Sequence, residues 1–328
     1  MLTGPVLAEV TRRDVRTGEE RVESVHTGSL VVARADGSVL LSAGSADLAV
    51  FPRSAVKPFQ AAAGLDLLDG GIPTSGEVAV AWASHRGEPA QLAAVRQLLV
   101  RAGREPEELT CPPAVAEATP GASPSRLQHN CSGKHALFAL AGRSLGTAGA
   151  ALLDPDGPLQ RAVLAQLADW LGPLIGLGVD GCGAPAVVVP LHRLAGAFAA
   201  LAAAPQLQLV RDAGLAHPAL VGGQGRVESA LLGAGVVAKV GAEGIYAAGF
   251  LAADGSPLGL AISAADGATR GVAAVVAHLL EGAGVVPWDT WLPPPPLGGG
   301  RPVGQVRPTA IVRGLADELA ARVAGGAR

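Results

Sequence analysis

Hydrophobic and polar positions along the chain change period several times. Leu30 to Leu41 alternates short β-branched runs around Asp36-Gly37, a dipeptide suited to a tight hairpin turn, which predicts an antiparallel pair early in the fold. From Ser54 the spacing becomes helical, with Phe59, Ala62, Ala63, Leu65 and Leu68 recurring until Asp69-Gly70-Gly71 stops it. Glu77 to Ala83 is a short apolar run that fits either strand or helix. Gln91 to Ala102 is a clearer helix closed by Gly103. Further helices are predicted over Lys134 to Ala141, Pro158 to Leu171, Leu191 to Ala203 and Thr269 to Leu280. Short apolar strands return at Val236 to Val240, Ile245 to Ala252 and Leu258 to Ala264, with Asp254-Gly255 turning between the last two. Residues Trp291 to Pro302, holding four consecutive prolines and three consecutive glycines, read as a loop before a helix over Gly314 to Ala324.

Strands at both ends around a mostly helical middle predict an α+β fold whose ends share one sheet, within a single large domain over residues 1–328. No internal repeat is visible. The hydrophobic fraction is 49% with only 3% aromatics, so Ala and Gly must build a core of small, closely packed side chains. A net charge of −3 without a basic stripe argues against nucleic acid as a partner. Apolar stretches such as Leu194 to Pro205 fall short of a membrane span, and Met1 to Arg13 lacks the apolar core of a secretory signal, so a cytoplasmic location is expected. Cys111, Cys131 and Cys182 are too few and too far apart for a disulfide framework.

One compositional bias points to chemistry. Of the 25 basic residues only Lys57, Lys134 and Lys239 are lysines, and Asn130 is the only asparagine. A surface cation can be either Lys or Arg, but a base, proton shuttle or metal ligand must lose its proton, which a guanidinium cannot do. The three surviving lysines are therefore candidates for function.

Their neighbourhoods sharpen this. Ser54 and Lys57 form a Ser-x-x-Lys pair, and residues three apart share a helix face. In such a pair a desolvated amine can take the serine proton and leave an oxygen nucleophile, favoured further at the positive end of a helix. Pro58 restrains Lys57 away from helical conformation and weighs against this. His129-Asn130-Cys131-Ser132-Gly133-Lys134-His135 concentrates reactive groups, but Gln128 replaces the first glycine of a phosphate loop and no Ser or Thr follows the lysine. Cys131 with Cys182, in Asp180-Gly181-Cys182-Gly183, offers two thiolates to zinc, although the spacing alone equally fits two buried free cysteines. Lys239 interrupts an apolar run, as a strand-edge lysine reaching water or as an amine with a depressed pKa. Ser84-His85, after the run Val78 to Ala83, reads as an N-cap region or as part of a hydrolase site.

Taken in order, Arg53-Ser54-Ala55-Val56-Lys57-Pro58, Ala83-Ser84-His85-x-Gly87-Glu88, Asn130-Cys131-Ser132-Gly133-Lys134-His135, Asp180-Gly181-Cys182 and Lys239-Val240-Gly241 resemble the class 3, rhizobial-type L-asparaginases, across residues from about 5 to 285. The resemblance implies a fold like serine β-lactamases and glutaminases, with a mixed sheet and helices, a homodimer, and hydrolysis of L-asparagine to aspartate and ammonia. It implies that Ser54 with Lys57 and Ser84 with Lys239 are two catalytic pairs. Ser54, whose base lies one turn away, is the expected nucleophile, with Ser84 and Lys239 relaying protons; the reverse assignment is the alternative. It further implies that Cys131, Lys134 and Cys182 coordinate zinc, and that Arg53, His135 and Asp180 surround the substrate's amino-acid head group. The sequence departs from the family pattern where Pro112-Pro113 follow Cys111 and where Arg86 stands in place of a small residue. A related amidase or glutaminase, or a non-catalytic amino-acid-binding protein of the same fold, are the competing expectations; a penicillin-interacting enzyme is disfavoured by the missing Lys-Thr-Gly triad.

Overall fold

The computed structural model describes residues 4–287 and 292–325. Two compact units interleave along the chain. One holds the residues up to Val50, Pro190–Ala202 and those from Gly241 onward; the other holds Phe51–Val189 and Ala203–Val240.

The first unit is built on an antiparallel sheet. Its strands run in the order Val306–Pro308, Val6–Arg13, Glu20–Ala33, Pro257–Ala264, Ile245–Leu251, with Val39–Ala43 also paired to Glu20–Ala33. The predicted hairpin at Asp36-Gly37 forms, pairing Leu30 with Ala43 and Val32 with Leu41, and Gly37 takes the left-handed φ of 81° that the turn needs. Asp254-Gly255 likewise turns Ile245–Leu251 into Pro257–Ala264. The early and late parts of the chain do share this sheet, through Ala8 opposite Pro308 and Leu30 opposite Ile262. Its ladders are antiparallel where a mixed sheet was expected: short connections join Val6–Arg13 to Glu20–Ala33, Glu20–Ala33 to Val39–Ala43 and Ile245–Leu251 to Pro257–Ala264, while Glu20–Ala33 meets Pro257–Ala264, and Val6–Arg13 meets Val306–Pro308, across long stretches of chain.

Small side chains shape the packing as composition foretold. Gly249 and Gly259 lie directly opposite each other on neighbouring strands. A β-carbon on Gly249 would sit 1.9 Å from the Phe198 carbonyl oxygen, and one on Gly259 would sit 1.8 Å from that of Ala195. The alanine-rich helix Leu191–Ala203 thus rests on bare sheet backbone.

The second unit is mainly helical. A 3₁₀ turn, Arg53–Val56, leads into the helix Lys57–Asp66, where Pro58 sits in the first turn and costs no hydrogen bond. The ambiguous run at Glu77 is a helix, Ser75–Ala81, opened by a capping box in which Thr74 and Glu77 satisfy each other's backbone amides. Pro89–Ala102, Ser132–Ser144, Pro158–Leu171, Gln208–Ala216 and Val227–Gly233 follow, with the hairpin strands Gly176–Val179 and Pro185–Pro190 and the strand Val237–Val240. Phe59, Trp82, Leu98, Leu99, Leu137 and Phe138 are its largest fully buried apolar side chains among the described residues. Gly133 lets the helix Ser132–Ser144 approach within 2.1 Å, measured from an added β-carbon, of the Val80 carbonyl.

The last helix begins at Ala310, four residues before its predicted start, and runs to Gly325. Of the predicted loop over Trp291 to Pro302, Trp291 lies outside the described residues, while Leu297–Gly298 and Arg301–Pro302 pair in a small hairpin. Among the described residues no single helix is long and apolar enough to cross a membrane.

Candidate active site

Every residue singled out for chemistry falls in the second unit. Ser84 follows the helix Ser75–Ala81, on a polar segment held from two sides. His85, 2% exposed, accepts the Gly87 N–H at Nδ1 (3.1 Å), which places its ring proton on Nε2 for donation to Ser132 Oγ at 2.7 Å. The His85 amide also donates to the Asn130 carbonyl at 3.3 Å. Burial, with the Lys57 charge adding to it, pushes the His85 pKa down to about 3, so the ring stays neutral and acts as a brace.

Two lysines meet at this segment. Lys57 Nζ donates to the Ala83 carbonyl (2.7 Å), Ser84 Oγ (3.1 Å) and the Asn130 carbonyl (3.4 Å). Lys239 Nζ, from the strand Val237–Val240, donates to Ser84 Oγ at 2.8 Å and the Val240 carbonyl at 3.0 Å. Both lysines are 1% exposed. Burial lowers the Lys239 pKa to about 7, partly countered by the Glu228 charge and reinforced by Lys57. The alternative of a lysine whose head reaches water does not describe Lys239. Of the two expected pairs, Ser84 and Lys239 are hydrogen-bonded. Ser54 and Lys57 are not, since the Lys57 amine reaches across to Ser84; Ser54, half-buried, has no side-chain hydrogen bond among the described residues.

Arg53, just before Ser54, holds a left-handed φ of 53°, a conformation that is strained for a side chain of its size. Its guanidinium grips Asp180 Oδ1 through Nε (2.9 Å) and Nη2 (2.8 Å), and the same oxygen accepts the Gly181 amide at 2.7 Å. His135 is 1% exposed; burial, aided by the Lys134 charge, holds its pKa well below the usual range. Its Nδ1 bonds Thr110 Oγ1 at 2.6 Å, and Nε2 is buried without a partner among the described residues. Thr110 carried no signal in the sequence, because its role depends on where a loop returns.

Cys131, Lys134 and Cys182 converge. Lys134 Nζ lies 3.3 Å from Cys182 Sγ, and all three residues are buried. The Cys182 thiol donates to Cys131, lowering the Cys131 pKa and raising its own. Burial opposes the Lys134 ammonium, but the neighbouring sulfurs of Cys182 and Cys131 outweigh it and raise its pKa. Two sulfurs and an amine within reach of one another suit a borderline-soft dication, so the donor set fits zinc. The third cysteine, Cys111, stands apart as a buried thiol pushed up to about 12 by burial.

A cavity of about 430 Å³ opens beside Ser84, lined also by His85, Gln128, Asn130, Arg226 and Glu228. Glu117, which also lines it, pairs with Arg86 at 3.2 Å.

Comparison with known proteins adds the family. No curated protein sequence matches the chain significantly. Among solved structures, the covalent complex of the Bacillus subtilis glutaminase YbgJ with 5-oxo-L-norleucine is 14% identical over 72% of this chain and 79% of that one, at a TM-score of 0.32. The native form of Mglu in 4.3 M NaCl is 17% identical over 74% of this chain, which spans only 58% of the Mglu chain, at a TM-score of 0.31. Likenesses this low bear on neither fold nor site. The profile of L-asparaginase II, by contrast, matches residues 9–308. The chain is therefore a member of the L-asparaginase II family.

Proposed function

We propose that the protein hydrolyses the side-chain amide of L-asparagine to L-aspartate and ammonia through an acyl-enzyme. The observation that carries this reading is the buried chain of Lys57, Ser84 and Lys239, in which one hydroxyl oxygen takes hydrogen bonds of 3.1 and 2.8 Å from two amines. Such a chain can move a proton from a nucleophile to a base. Ser54 is the nucleophile in this proposal: its hydroxyl is uncommitted among the described residues, it follows the strained Arg53, and it stands before the positive end of the helix Lys57–Asp66. Its oxygen bonds to the amide carbon while its proton passes to Lys57 and, through Ser84, to Lys239. The carbon–nitrogen bond then breaks, the nitrogen takes a proton back and leaves as ammonia, and water cleaves the ester to free Ser54. Arg53, His135 and Asp180 orient the amino-acid head group. Cys131, Lys134 and Cys182 would hold zinc, whose charge, when bound, supplies an anchor for a substrate oxygen.

A specific observation favours a second assignment: Ser84 already lies 2.8 Å from Lys239, whose pKa of about 7 suits a base. Mass spectrometry of the trapped acyl-enzyme separates the two. An adduct on Ser54 supports the first, and an adduct on Ser84 alone replaces it. Ammonia release from asparagine, glutamine and simple amides tests the substrate; faster release from glutamine would make the protein a glutaminase. The family resemblance extends the proposal to a cytoplasmic homodimer, for which sedimentation would report the mass of two chains.

A further inference from the structure

The cavity of about 430 Å³ beside Ser84 has walls that are already fixed. On one side, Ala114 and Ser125 exchange backbone hydrogen bonds of 3.0 Å, the Ala116 amide donates to Gln128 Oε1 at 3.2 Å, and the Ala118 amide donates to the Arg86 carbonyl at 2.9 Å. On the other, Arg86 Nη1 donates to the Gln224 carbonyl at 3.1 Å and the Gln224 amide donates to Glu88 Oε1 at 3.0 Å, which holds the chain beside Gly222. Arg226 and Glu117 tie the two walls together as an ion pair. A preformed space of this size with convergent polar groups has the character of a binding site.

Its position relative to the proposed chemistry indicates what it receives. Ser84 lines it, whereas Ser54 and the head-group residues Arg53, His135 and Asp180 are not among its described lining residues. With Ser54 attacking and the chain of Lys57, Ser84 and Lys239 returning the proton, the departing nitrogen has to come within hydrogen-bond reach of that chain. A group carried on the nitrogen then enters the cavity that Ser84 lines. Ammonia, about the size of a water molecule at roughly 30 Å³, needs less than a tenth of the 430 Å³ there.

We propose that the cavity is a leaving-group subsite, and that the protein also cleaves secondary amides in which the side-chain nitrogen of asparagine carries a small polar substituent. This rests on the amide-hydrolase reading above and extends it to a further substrate class. Gln128, Asn130, Arg226 and Glu228 offer donors and acceptors that suit a hydroxyl or amide on the substituent. The step balances as it does for asparagine. Ser54 Oγ bonds to the amide carbon and its proton enters the lysine chain; the carbon–nitrogen bond breaks, the nitrogen takes a proton and leaves as a primary amine, and water cleaves the ester to L-aspartate.

The test follows L-aspartate release from L-asparagine and from its forms bearing a 2-hydroxyethyl or a propyl group, equal in length, on the side-chain nitrogen. The hydroxyethyl compound should reach at least about a tenth of the kcat/KM of asparagine and exceed the propyl compound about fivefold. A lower value for the hydroxyethyl compound, with asparagine hydrolysed, overturns the proposal, and an equal rate for the propyl compound overturns the choice of a polar substituent. Val115, 43% exposed on the cavity wall, is the place for a plug: Val115→Trp should lower the hydroxyethyl-to-asparagine ratio about tenfold or more. A fixed ratio, whether or not both rates fall, overturns the subsite. Equal melting temperatures of variant and wild type exclude misfolding, and Val115→Phe is the smaller plug if Trp is not tolerated. If no amide is turned over, asparagine included, the hydrolase reading fails and the proposal with it, an outcome distinct from turnover of asparagine without its substituted forms.

Discussion

At the residue scale, the three lysines divide the chemistry by their neighbours. Lys→Arg at position 57, 134 or 239 should lower kcat/KM at least about 100-fold, since each replacement keeps the charge and forfeits a removable proton; full activity in any one breaks its assigned role. Lys239 also sets a pH dependence. Its pKa of about 7 lies below the ordinary 10.5, so the unfolded chain binds the extra proton between those values. Stability should therefore rise with pH from about 7 toward 10.5, and Lys239→Met should flatten that slope in urea titrations. Activity limited by the base should rise through about pH 7 in the same protein. His85 works at the other end: with its pKa near 3 against an ordinary 6.5, the folded state loses about 5 kcal/mol as pH falls through that window. Denaturant titrations from neutral pH down through that window would measure it. The three lysines stood out in the sequence because lysine is so scarce. Their pairing did not: Lys57 meets Ser84, 27 positions away, in preference to Ser54 three positions before it, and only tertiary packing decides between those.

At the element scale, periodicity located the longer helices but not Gln208–Ala216, Pro218–Val221 or Val227–Gly233, which are too short to show a clear period, and the Asp-Gly turns located two hairpins. Glu77 to Ala83 stayed ambiguous because a seven-residue apolar run has no informative period, although the Thr74-x-x-Glu77 capping box was written in the chain. Thr74→Ala should cost about 1 kcal/mol, readable by thermal melts. The glycines opposite each other at 249 and 259 give the sharper expectation. Either one changed to Ala would push a methyl into helix backbone, which cannot retreat as a side chain can. The loss should reach about 3 kcal/mol or more, whereas Gly103→Ala, with open space around it and a left-handed φ of 63°, should cost roughly 1. The sequence announced a small-residue core without saying which glycines lie beneath the helix.

At the scale of the whole molecule, the catalytic candidates and the metal donors come from segments 51–57, 83–88, 129–135, 180–182 and 226–240, all within one compact unit. Interleaving of the two units was illegible, because neither composition nor turn signals change where the chain passes from one to the other. If zinc occupies the two sulfurs and the amine, it clips segments some 50 residues apart. Its removal by a chelator should then lower the melting temperature, and zinc should restore it, with about one ion per chain in metal analysis.

The placement of Ser84 Oγ between two amines carries one more consequence. A single hydroxyl hydrogen cannot serve both nitrogens at once, so moving a proton onto either lysine obliges the hydrogen bond on the other side to reverse its sense. Two protons then travel in one kinetic event. Rates measured across mixtures of light and heavy water should bow below a straight line, and in Ser84→Ala whatever rate survives should follow the line of a single transferred proton.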